Sequence, residues 1–462
     1  MKKVILSAVA IITIVMISCK NEGNKEIDSG EKIGVEDLKS SVLSSFGDQP
    51  AIAHGPDGFV AITFGHEKSI YYSESIDKGE LFSAPIKIGS LDELVLGYSS
   101  GPQIAITTSV VIITAPSKKG NLFSWTKERS GSEWEGPYRI NDVDKSVEEC
   151  LSAITSTDDD LLFCTWIDTR FMEETSHDKD TGTKEHSEEN NAKEKKEENL
   201  HEMTPIGITK MELYKKIGDV PENVRLAFHN DEEGNLLWVL FDEKGEVVKA
   251  ENHEAYKEFK ERNGERVKPK GKIYISSSAD GGRTWKKSRM VYKSPGGSVC
   301  ECCKPSIESD SNGNLVVMFR NNLNGSRDLY YATSMDKGIT FSKAHKLGSG
   351  TWKINGCPMD GGGIVFYENG GLNTIWSRKG QIYTANSDLT EQYIGIGRSP
   401  SISSSENGSS IVFKSGEDIM AMNHLDSKPV KIGSGNSPKV ASIDTYAIYV
   451  WVNKNGIQYK RI

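Results

Sequence analysis

Short runs of alternating apolar and polar residues, separated by turn residues, recur along most of the chain. Each unit begins at a proline or small residue and continues into four short β-rich runs, the second of which is rich in Val, Ile and aromatic residues. The units start at residues 49–52, 101–104, 150–154, 304–307, 357–358, 399–402 and 437–440. A four-stranded repeat of about forty to fifty residues predicts one propeller blade per unit.

The third unit is longer than the others. Its first two strands end before Arg170 and its third strand begins at residue 272, so residues 171–270 form an insertion between strands two and three. Residues 171–202 contain 11 acidic and 5 basic residues and few aromatic ones, a composition typical of disorder. Residues 236–248 predict a hairpin. We therefore expect a charged segment followed by a small folded flap.

A turn motif recurs between the third and fourth strands of three units. It has the form Ser-x-Asp-x-Gly, followed three residues later by Phe or Trp, at residues 75–82, 278–285 and 334–341. A short carboxylate can accept turn amides, glycine can adopt a positive φ, and the aromatic side chain can pack between strands. The aspartates Asp77, Asp280 and Asp336 are therefore predicted to be structural.

This motif resembles the Asp-box, or bacterial neuraminidase repeat, of sialidase-like propellers. The resemblance covers residues 45–462 apart from the insertion, and it implies that the Asp-boxes lie on the face opposite the ligand site. Sialidases have six blades, whereas seven unit starts favour seven here. The last unit, residues 437–462, has room for about three strands. A segment near residues 32–42 could add the outer strand and close the ring.

The N-terminus carries an export signal. Lys2 and Lys3 precede an apolar run over residues 4–17, which is too short to span a bilayer comfortably. The small residue Ser18 before Cys19 resembles the lipobox of bacterial lipoproteins. The resemblance implies that cleavage leaves Cys19 as a lipidated first residue. The alternative is an ordinary secretory signal in which Cys19 is incidental.

Together these features predict a signal peptide at residues 1–18, a lipidated tether at 19–44 and an all-β propeller at 45–462. The protein is expected in the bacterial cell envelope, at the outer membrane or the cell surface, with a lipid anchor as its membrane contact. A net charge of −9 provides no basic surface for phosphate backbones, so nucleic acid is not an expected partner.

Three second strands end in arginine, at Arg170, Arg320 and Arg378. Equivalent ends of second strands lie on one face of a propeller, so these guanidinium groups could bind a carboxylate or another anion through paired hydrogen bonds. Asp168, Asp360 and Trp352 are the accompanying ligand-binding candidates. The alternative is that each arginine caps a turn or pairs with a neighbouring carboxylate.

The sialidase resemblance implies three arginines, an acid/base aspartate and a Tyr/Glu nucleophile pair. The nearest match to the family's first arginine, at residues 138–141, lacks the family's proline, and no clear Tyr/Glu pair is present. The catalytic residues are therefore left unassigned. The leading prediction is binding of a glycan or another anionic ligand, and the alternatives are an exo-acting sialidase-type hydrolase or a scaffold for envelope proteins.

Six cysteines remain besides Cys19, an even number in an exported chain, which favours disulfides. Cys150 and Cys164 flank the first strand of the third unit and could form one bridge. The inter-blade connections carry Cys300, Cys302, Cys303 and Cys357, which could form disulfides or a thiolate site for Cu(I) or Zn(II). No other cofactor is expected.

Overall fold

The propeller is described from a computed structural model. The structure describes residues 40–97, 99–157, 159–170, 210–218, 224–230, 236–241, 247–251, 271–354, 356, 358–367, 370–405, 408–423 and 427–462. The predicted signal peptide, the lipidation site and the charged segment 171–202 lie outside these residues. No helix in the described ranges is long and apolar enough to cross a membrane.

Seven four-stranded antiparallel sheets form the blades, as the repeat predicts. The chain begins with β1 (Ser41–Ser44), followed by blade 1 with β2 (Asp48–His54), β3 (Val60–His66), β4 (Ser69–Ser75) and β5 (Ile86–Ser90). Blade 2 contains β6 (Gln103–Ile106), β7 (Val110–Ser117), β8 (Asn121–Glu128) and β9 (Glu135–Arg139). Blade 3 begins with β10 (Ser152–Ser156) and β11 (Leu162–Asp168).

The insertion follows β11, as predicted. Its described elements are α1 (Lys210–Ile217), β12 (Arg225–Asn230), β13 (Leu236–Phe241) and β14 (Val247–Ala250). The three strands form their own antiparallel sheet, and the pairing of β13 with β14 is the predicted hairpin. Leu213 and Ile217 of the helix pack with Leu226 and Leu240 in a small separate core.

The remaining strands complete blades 3 to 7. Blade 3 ends with β15 (Lys272–Ser278) and β16 (Arg289–Tyr292), and blade 4 contains β17 (Ser306–Ser309), β18 (Leu315–Arg320), β19 (Leu329–Ser334) and β20 (His345–Lys346). Blade 5 contains β21 (Gly362–Phe366), β22 (Leu372–Arg378), β23 (Gln381–Asn386) and β24 (Glu391–Ile396). Blade 6 contains β25 (Arg398–Ser405), β26 (Gly408–Ser415), β27 (Asp418–Met422) and β28 (Val430–Ser434), and blade 7 contains β29 (Asn436–Ile443), β30 (Tyr446–Asn453) and β31 (Gly456–Arg461).

The first strand of the chain closes the ring. Strand β1 pairs antiparallel with β31, with Ser41 opposite Tyr459, and so becomes the outer strand of blade 7. The closing strand covers an edge of β31 that would otherwise be open. The propeller therefore begins at Ser41 rather than at the predicted residue 45.

The hydrophobic core lies between neighbouring blades. One cluster joins Phe163 and Ile275 of blade 3 to Ile307 and Phe319 of blade 4, and other blade pairs are packed in the same way. The second strand of each blade is covered on both faces, which explains why these strands are continuous apolar runs. The ring is thus held by interfaces between blades.

The three Asp-box turns have nearly the same geometry. In the second box, Ser278 Oγ accepts the amide of Gly282 at 2.9 Å and donates to Asp280 Oδ1 at 2.7 Å. Asp280 also accepts the Thr284 amide at 2.9 Å, and Gly282 adopts a φ of 85°. These contacts satisfy the turn internally. The side chains of the motif are thus engaged within the turn itself.

Candidate ligand site on the axial face

One face of the ring carries the entries into the inner strands and the ends of the second strands. The residue just before the body of several inner strands adopts a positive φ, which turns the chain sharply toward the axis. These residues are Gln49 at 51°, Cys150 at 55°, Met359 at 51°, Ser399 at 54° and Ser437 at 52°. We call this the axial face.

Arg170 is held by carboxylates of its own surroundings. Its Nε and Nη2 donate to the two oxygens of Asp168, each at 2.7 Å, and Nη2 also reaches Asp142 at 3.1 Å. Its guanidinium lies 4.2 Å from the ring centre of Tyr274. Asp168, which is 1% exposed, also accepts the indole NH of Trp166 at 2.8 Å. Arg170 and Asp168 thus form a buried ion pair within blade 3.

Arg320 is committed to backbone carbonyl groups. Its donors reach the carbonyls of Asp360 at 2.9 and 3.1 Å, Arg327 at 2.6 Å and Ser377 at 2.9 Å, and the residue is only 2% exposed. The ring of Trp352 lies 5.5 Å from its guanidinium carbon. These contacts tie blade 4 to blade 5 and leave little of Arg320 for a ligand.

Arg378 forms a bidentate ion pair with Glu391 within blade 5. Its Nη1 lies 2.7 Å from Glu391 Oε2, and Nη2 donates to the other carboxylate oxygen. The guanidinium holds the pKa of Glu391 below its ordinary value. Arg170, Arg320 and Arg378 therefore occupy three separate sets of contacts, and the structure does not bring them together around one ligand.

Asp360 is a buried carboxylate at the start of blade 5. It is 4% exposed and accepts the Ser399 amide at 3.2 and 3.3 Å from its two oxygens. Burial raises its pKa, and the Arg320 charge opposes that shift. Of the predicted ligand-binding residues, Asp360, Arg320 and Trp352 lie together, whereas the Arg170–Asp168 pair belongs to blade 3.

The predicted Cys150–Cys164 bridge is absent, and both thiols are free. Cys164 lies opposite Ile154 in the β10–β11 ladder, and Cys150 is four residues further along, roughly 13 Å at the rise of a strand. A disulfide needs Cα atoms within about 7 Å. The thiol of Cys150 instead faces the Ser117 carbonyl at 3.4 Å.

The cysteines of the blade 3 to blade 4 connection form a compact group. The sulfur of Cys300 lies 3.6 Å from that of Cys302 and 3.5 Å from that of Cys303, and all three sulfurs lie within 4.8 Å of one another. Cys300 and Cys303 are free thiols, and contact with Cys300 lowers the pKa of Cys303 to about 7. Cys302 is disulfide-bonded, so Cys300 and Cys303 are the free thiols of this group. Cys357 lies outside the described residues.

A cavity of about 710 Å³ opens at the mouth of the axis, between blades 6, 7 and 1. The entries of three inner strands line it, through Gln49, Ser399 and Ser437. Its charged lining consists of four cations and two carboxylates: Arg398, Lys414, Lys439, Lys454, Asp48 and Glu417. The cavity is therefore locally positive in a chain whose net charge is −9.

Lys439 is a half-buried cation that lines this cavity. Within the part of the chain that the structure describes, its ammonium group has no hydrogen-bond or ion-pair partner, and burial lowers its pKa. Across the axis, Lys304 donates to the side-chain oxygen of Gln103. Burial and the charge of Lys439 hold the pKa of Lys304 well below its ordinary value. The charge of Asp360 acts in the opposite direction on Lys439 and partly compensates the effect of burial.

Neither Lys304 nor Lys439 is among the ligand-binding residues predicted from the sequence. A usable signal was present, because Lys439 follows the unit-start proline at the position that Gln103 occupies in blade 2. Gln103 is the first residue of β6, and Lys439 is the fourth residue of β29, directly after the register shift in that strand. The repeat therefore places a lysine at this position on the axial face.

Comparison with known proteins gives a partial family match. Residues 242–412 match a family model described as a BNR repeat-like domain. No curated protein matches the chain.

Several solved structures are similar over nearly the whole chain. A protein of unknown function from Dyadobacter fermentans is 13% identical, covers 90% of this chain and 94% of its own, and has a TM-score of 0.39. An α-L-arabinofuranosidase from Fusarium graminearum is 10% identical, with coverages of 90% and 92% and a TM-score of 0.43. An intramolecular trans-sialidase from Ruminococcus gnavus is 11% identical, with coverages of 91% and 95% and a TM-score of 0.37.

The blade count, the turns and the family match agree with one another. Seven four-stranded sheets are present, three of them carry the Asp-box turn, and the family match spans part of the same repeat. The chain is a seven-bladed β-propeller, and its residues 242–412 are similar to a BNR repeat-like domain.

Proposed function

We propose that this propeller is an exported, lipid-anchored envelope protein that binds an anionic ligand, such as an acidic glycan, in the cavity at the axial mouth. The observation that carries the proposal is Lys439, a half-buried cation that lines a cavity of about 710 Å³ and has no hydrogen-bond or ion-pair partner among the described residues. A buried cation is costly unless it is paired. A bound carboxylate would supply the missing partner.

Four cationic side chains line the cavity. Lys439 would take the acidic group, while Arg398, Lys414 and Lys454 line the same space. Lys414 is positioned by Asn436, whose side-chain oxygen accepts its ammonium group at 2.5 Å. The hydroxyl groups of Ser399 and Ser437 add neutral hydrogen-bonding groups of the kind that sugars require. The site therefore suits a polar ligand that carries at least one acidic group.

Calorimetric titration of the mature protein tests the proposal. The ligands are N-acetylneuraminic acid, glucuronic acid and neutral glucose, and the variants are Lys439→Met and, as a matched control, Lys87→Met on the exposed outer strand of blade 1. We expect the Lys439 variant to bind the acids at least tenfold more weakly, which corresponds to about 1.4 kcal/mol. Its free energy of unfolding should not fall, because the substitution removes an unpaired buried cation.

The alternatives give different results. Equal binding of acids by both variants would contradict the proposal. Release of sialic acid from a fluorogenic sialoside would assign the exo-sialidase function instead. Recovery of the protein only in a defined envelope complex, without binding of any acid, would favour the scaffold.

A further inference from the structure

A second cavity opens on the axial face at the tip of blade 4. Its volume is about 510 Å³, and it lies between the β18–β19 turn and the segment that follows β20. The residues around it are Asn322, Gly325, Arg327, Lys353 and Ile354. None of them lines the cavity at the axial mouth.

Backbone contacts fix the walls of this cavity. The Arg327 amide donates to the Trp352 carbonyl at 2.8 Å, and the Ile354 amide donates to Gly325 at 3.3 Å. Ser326 forms an isolated bridge with Lys353. The Arg327 carbonyl, in turn, accepts a hydrogen bond of 2.6 Å from the buried guanidinium of Arg320. Hydrogen bonds at both the amide and the carbonyl of Arg327 therefore fix the main chain at this residue.

The charge of this cavity is not compensated. Arg327 and Lys353 are its charged lining residues, and both are cationic. In the described ranges Arg327 forms no side-chain hydrogen bond or ion pair, and its Nε is buried without an acceptor. The adjacent Asp328 is engaged elsewhere, since it accepts the Trp352 amide at 2.7 Å and pairs with Lys346 at 3.3 Å.

Arg327 differs in this respect from the three arginines that the sequence singled out. Arg170 and Arg378 are paired with carboxylates, and Arg320 is saturated by carbonyl groups. A guanidinium on a fixed backbone that has no acceptor among the described residues can bind an oxyanion with little loss of loop entropy.

We propose that this second cavity is an oxyanion site, independent of the axial-mouth cavity, with Arg327 as the fixed cation and Lys353 as the flanking one. The ligand group is a carboxylate or a sulfate ester on a saccharide, since a cavity of this volume accepts a ligand of small-molecule size. The Asn322 side chain offers a neutral hydrogen-bonding partner beside the charge.

The test uses the Lys439→Met background, so that binding at the axial mouth does not mask the second site. Glucuronate, glucose 6-sulfate and glucose are titrated into Lys439→Met alone and combined with Arg327→Met, Arg327→Lys or Arg139→Met. Arg139 is the matched control, because it lies on the outer strand of blade 2 with its side chain 46% exposed. Comparison of the first two ligands distinguishes a carboxylate from a sulfate ester.

We expect at least one anion to bind saturably to Lys439→Met, tenfold more weakly after Arg327→Met, and unchanged after Arg139→Met. Arg327→Lys retains the charge without the planar fork and should bind with intermediate affinity. An absence of saturable anion binding in Lys439→Met, or equal binding after Arg327→Met, would overturn the second site. Either result leaves the effect of Lys439 in the wild-type background, and hence the axial-mouth proposal, to be judged separately.

Discussion

Lys304 and Lys439 come from the inner-strand entries of blades 4 and 7, and the charge of Lys439 lowers the pKa of Lys304. Burial acts in the same direction on both ammonium groups. The two like charges repel each other, and the charge of Asp360 opposes the shift at Lys439. An anion bound beside the two ammonium groups would stabilise both charged forms.

Anion affinity should fall as the pH rises. Both lysines have a pKa below the ordinary value of about 10.4 in the free protein, and a bound anion favours their protonated forms. Affinity is therefore full at low pH and is lost as the pH rises through the lowered pKa values. Calorimetry in buffers of different ionisation enthalpy should show proton uptake on binding, and Lys439→Met should take up fewer protons. A constant affinity between about pH 6 and pH 10 would contradict this account.

The Asp-box serine should matter for stability. Ser278 is 1% exposed, and its replacement by alanine leaves the buried Gly282 amide without an acceptor. We expect the free energy of unfolding to fall by about 2 kcal/mol, the usual cost of an unsatisfied buried donor. Ser90→Ala, on an exposed strand end, is the control and should have no measurable effect. Chemical denaturation measures both, and an unchanged midpoint for Ser278→Ala would show that the turn tolerates the loss.

Strand β1 should be required for a stable ring. A chain that starts at residue 40 keeps the β1–β31 pairing, whereas one that starts at residue 45 exposes the edge of β31. The shorter chain should unfold several degrees lower and aggregate, because an open edge strand pairs with other chains. Thermal unfolding and light scattering of the two truncations make the comparison. Identical behaviour would mean that closure of blade 7 contributes little.

Cys150 and Cys164 should be alkylated in denaturant without prior reduction, because both are free thiols held apart by the register of β10 and β11. Peptide mass spectrometry of protein purified from the envelope measures the alkylation of each cysteine separately. A bridge between these two would require a different register. The same sample, analysed for copper and zinc, decides between the disulfide and metal predictions for the group around Cys300.

Lipidation of Cys19 is tested by fractionation. Cys19→Ala should move the protein from the membrane fraction to the soluble exported fraction, because the acyl chains would supply its membrane affinity. A Ser29→Ala variant within the predicted tether is the control and should remain with the membrane. Membrane retention of Cys19→Ala would favour an ordinary signal peptide.

The repeat itself could be predicted because its determinants are local. An apolar second strand, a proline at the unit start and the Asp-box turn each act over a few residues, so spacing alone located the blades and the insertion after β11. The closing strand was predicted near residues 32–42, and the structure has it at Ser41–Ser44. An edge strand has a hydrogen-bonded neighbour on one side only, so the repeat constrains its position least. This explains why β1 is displaced from its predicted position.

The roles of the arginines could not be predicted in the same way. Their strand ends are equivalent in sequence, but their partners are supplied by other parts of the ring: Asp142 for Arg170, the Asp360 carbonyl for Arg320 and Glu391 for Arg378. Whether a guanidinium is satisfied depends on atoms within about 3 Å, and sequence spacing does not specify those atoms.

The sequence by itself therefore determined the blade architecture and the Asp-box turns, because these follow from short-range patterning repeated around a ring. Only the tertiary structure decided which cations on the axial face have hydrogen-bond or ion-pair partners. Within the described residues, Arg170, Arg320 and Arg378 have such partners, whereas the side chains of Lys439 and Arg327 have none. The physical reason is that charge compensation is a property of side chains packed from several blades, and the closed ring brings together residues as distant in sequence as Lys304 and Lys439.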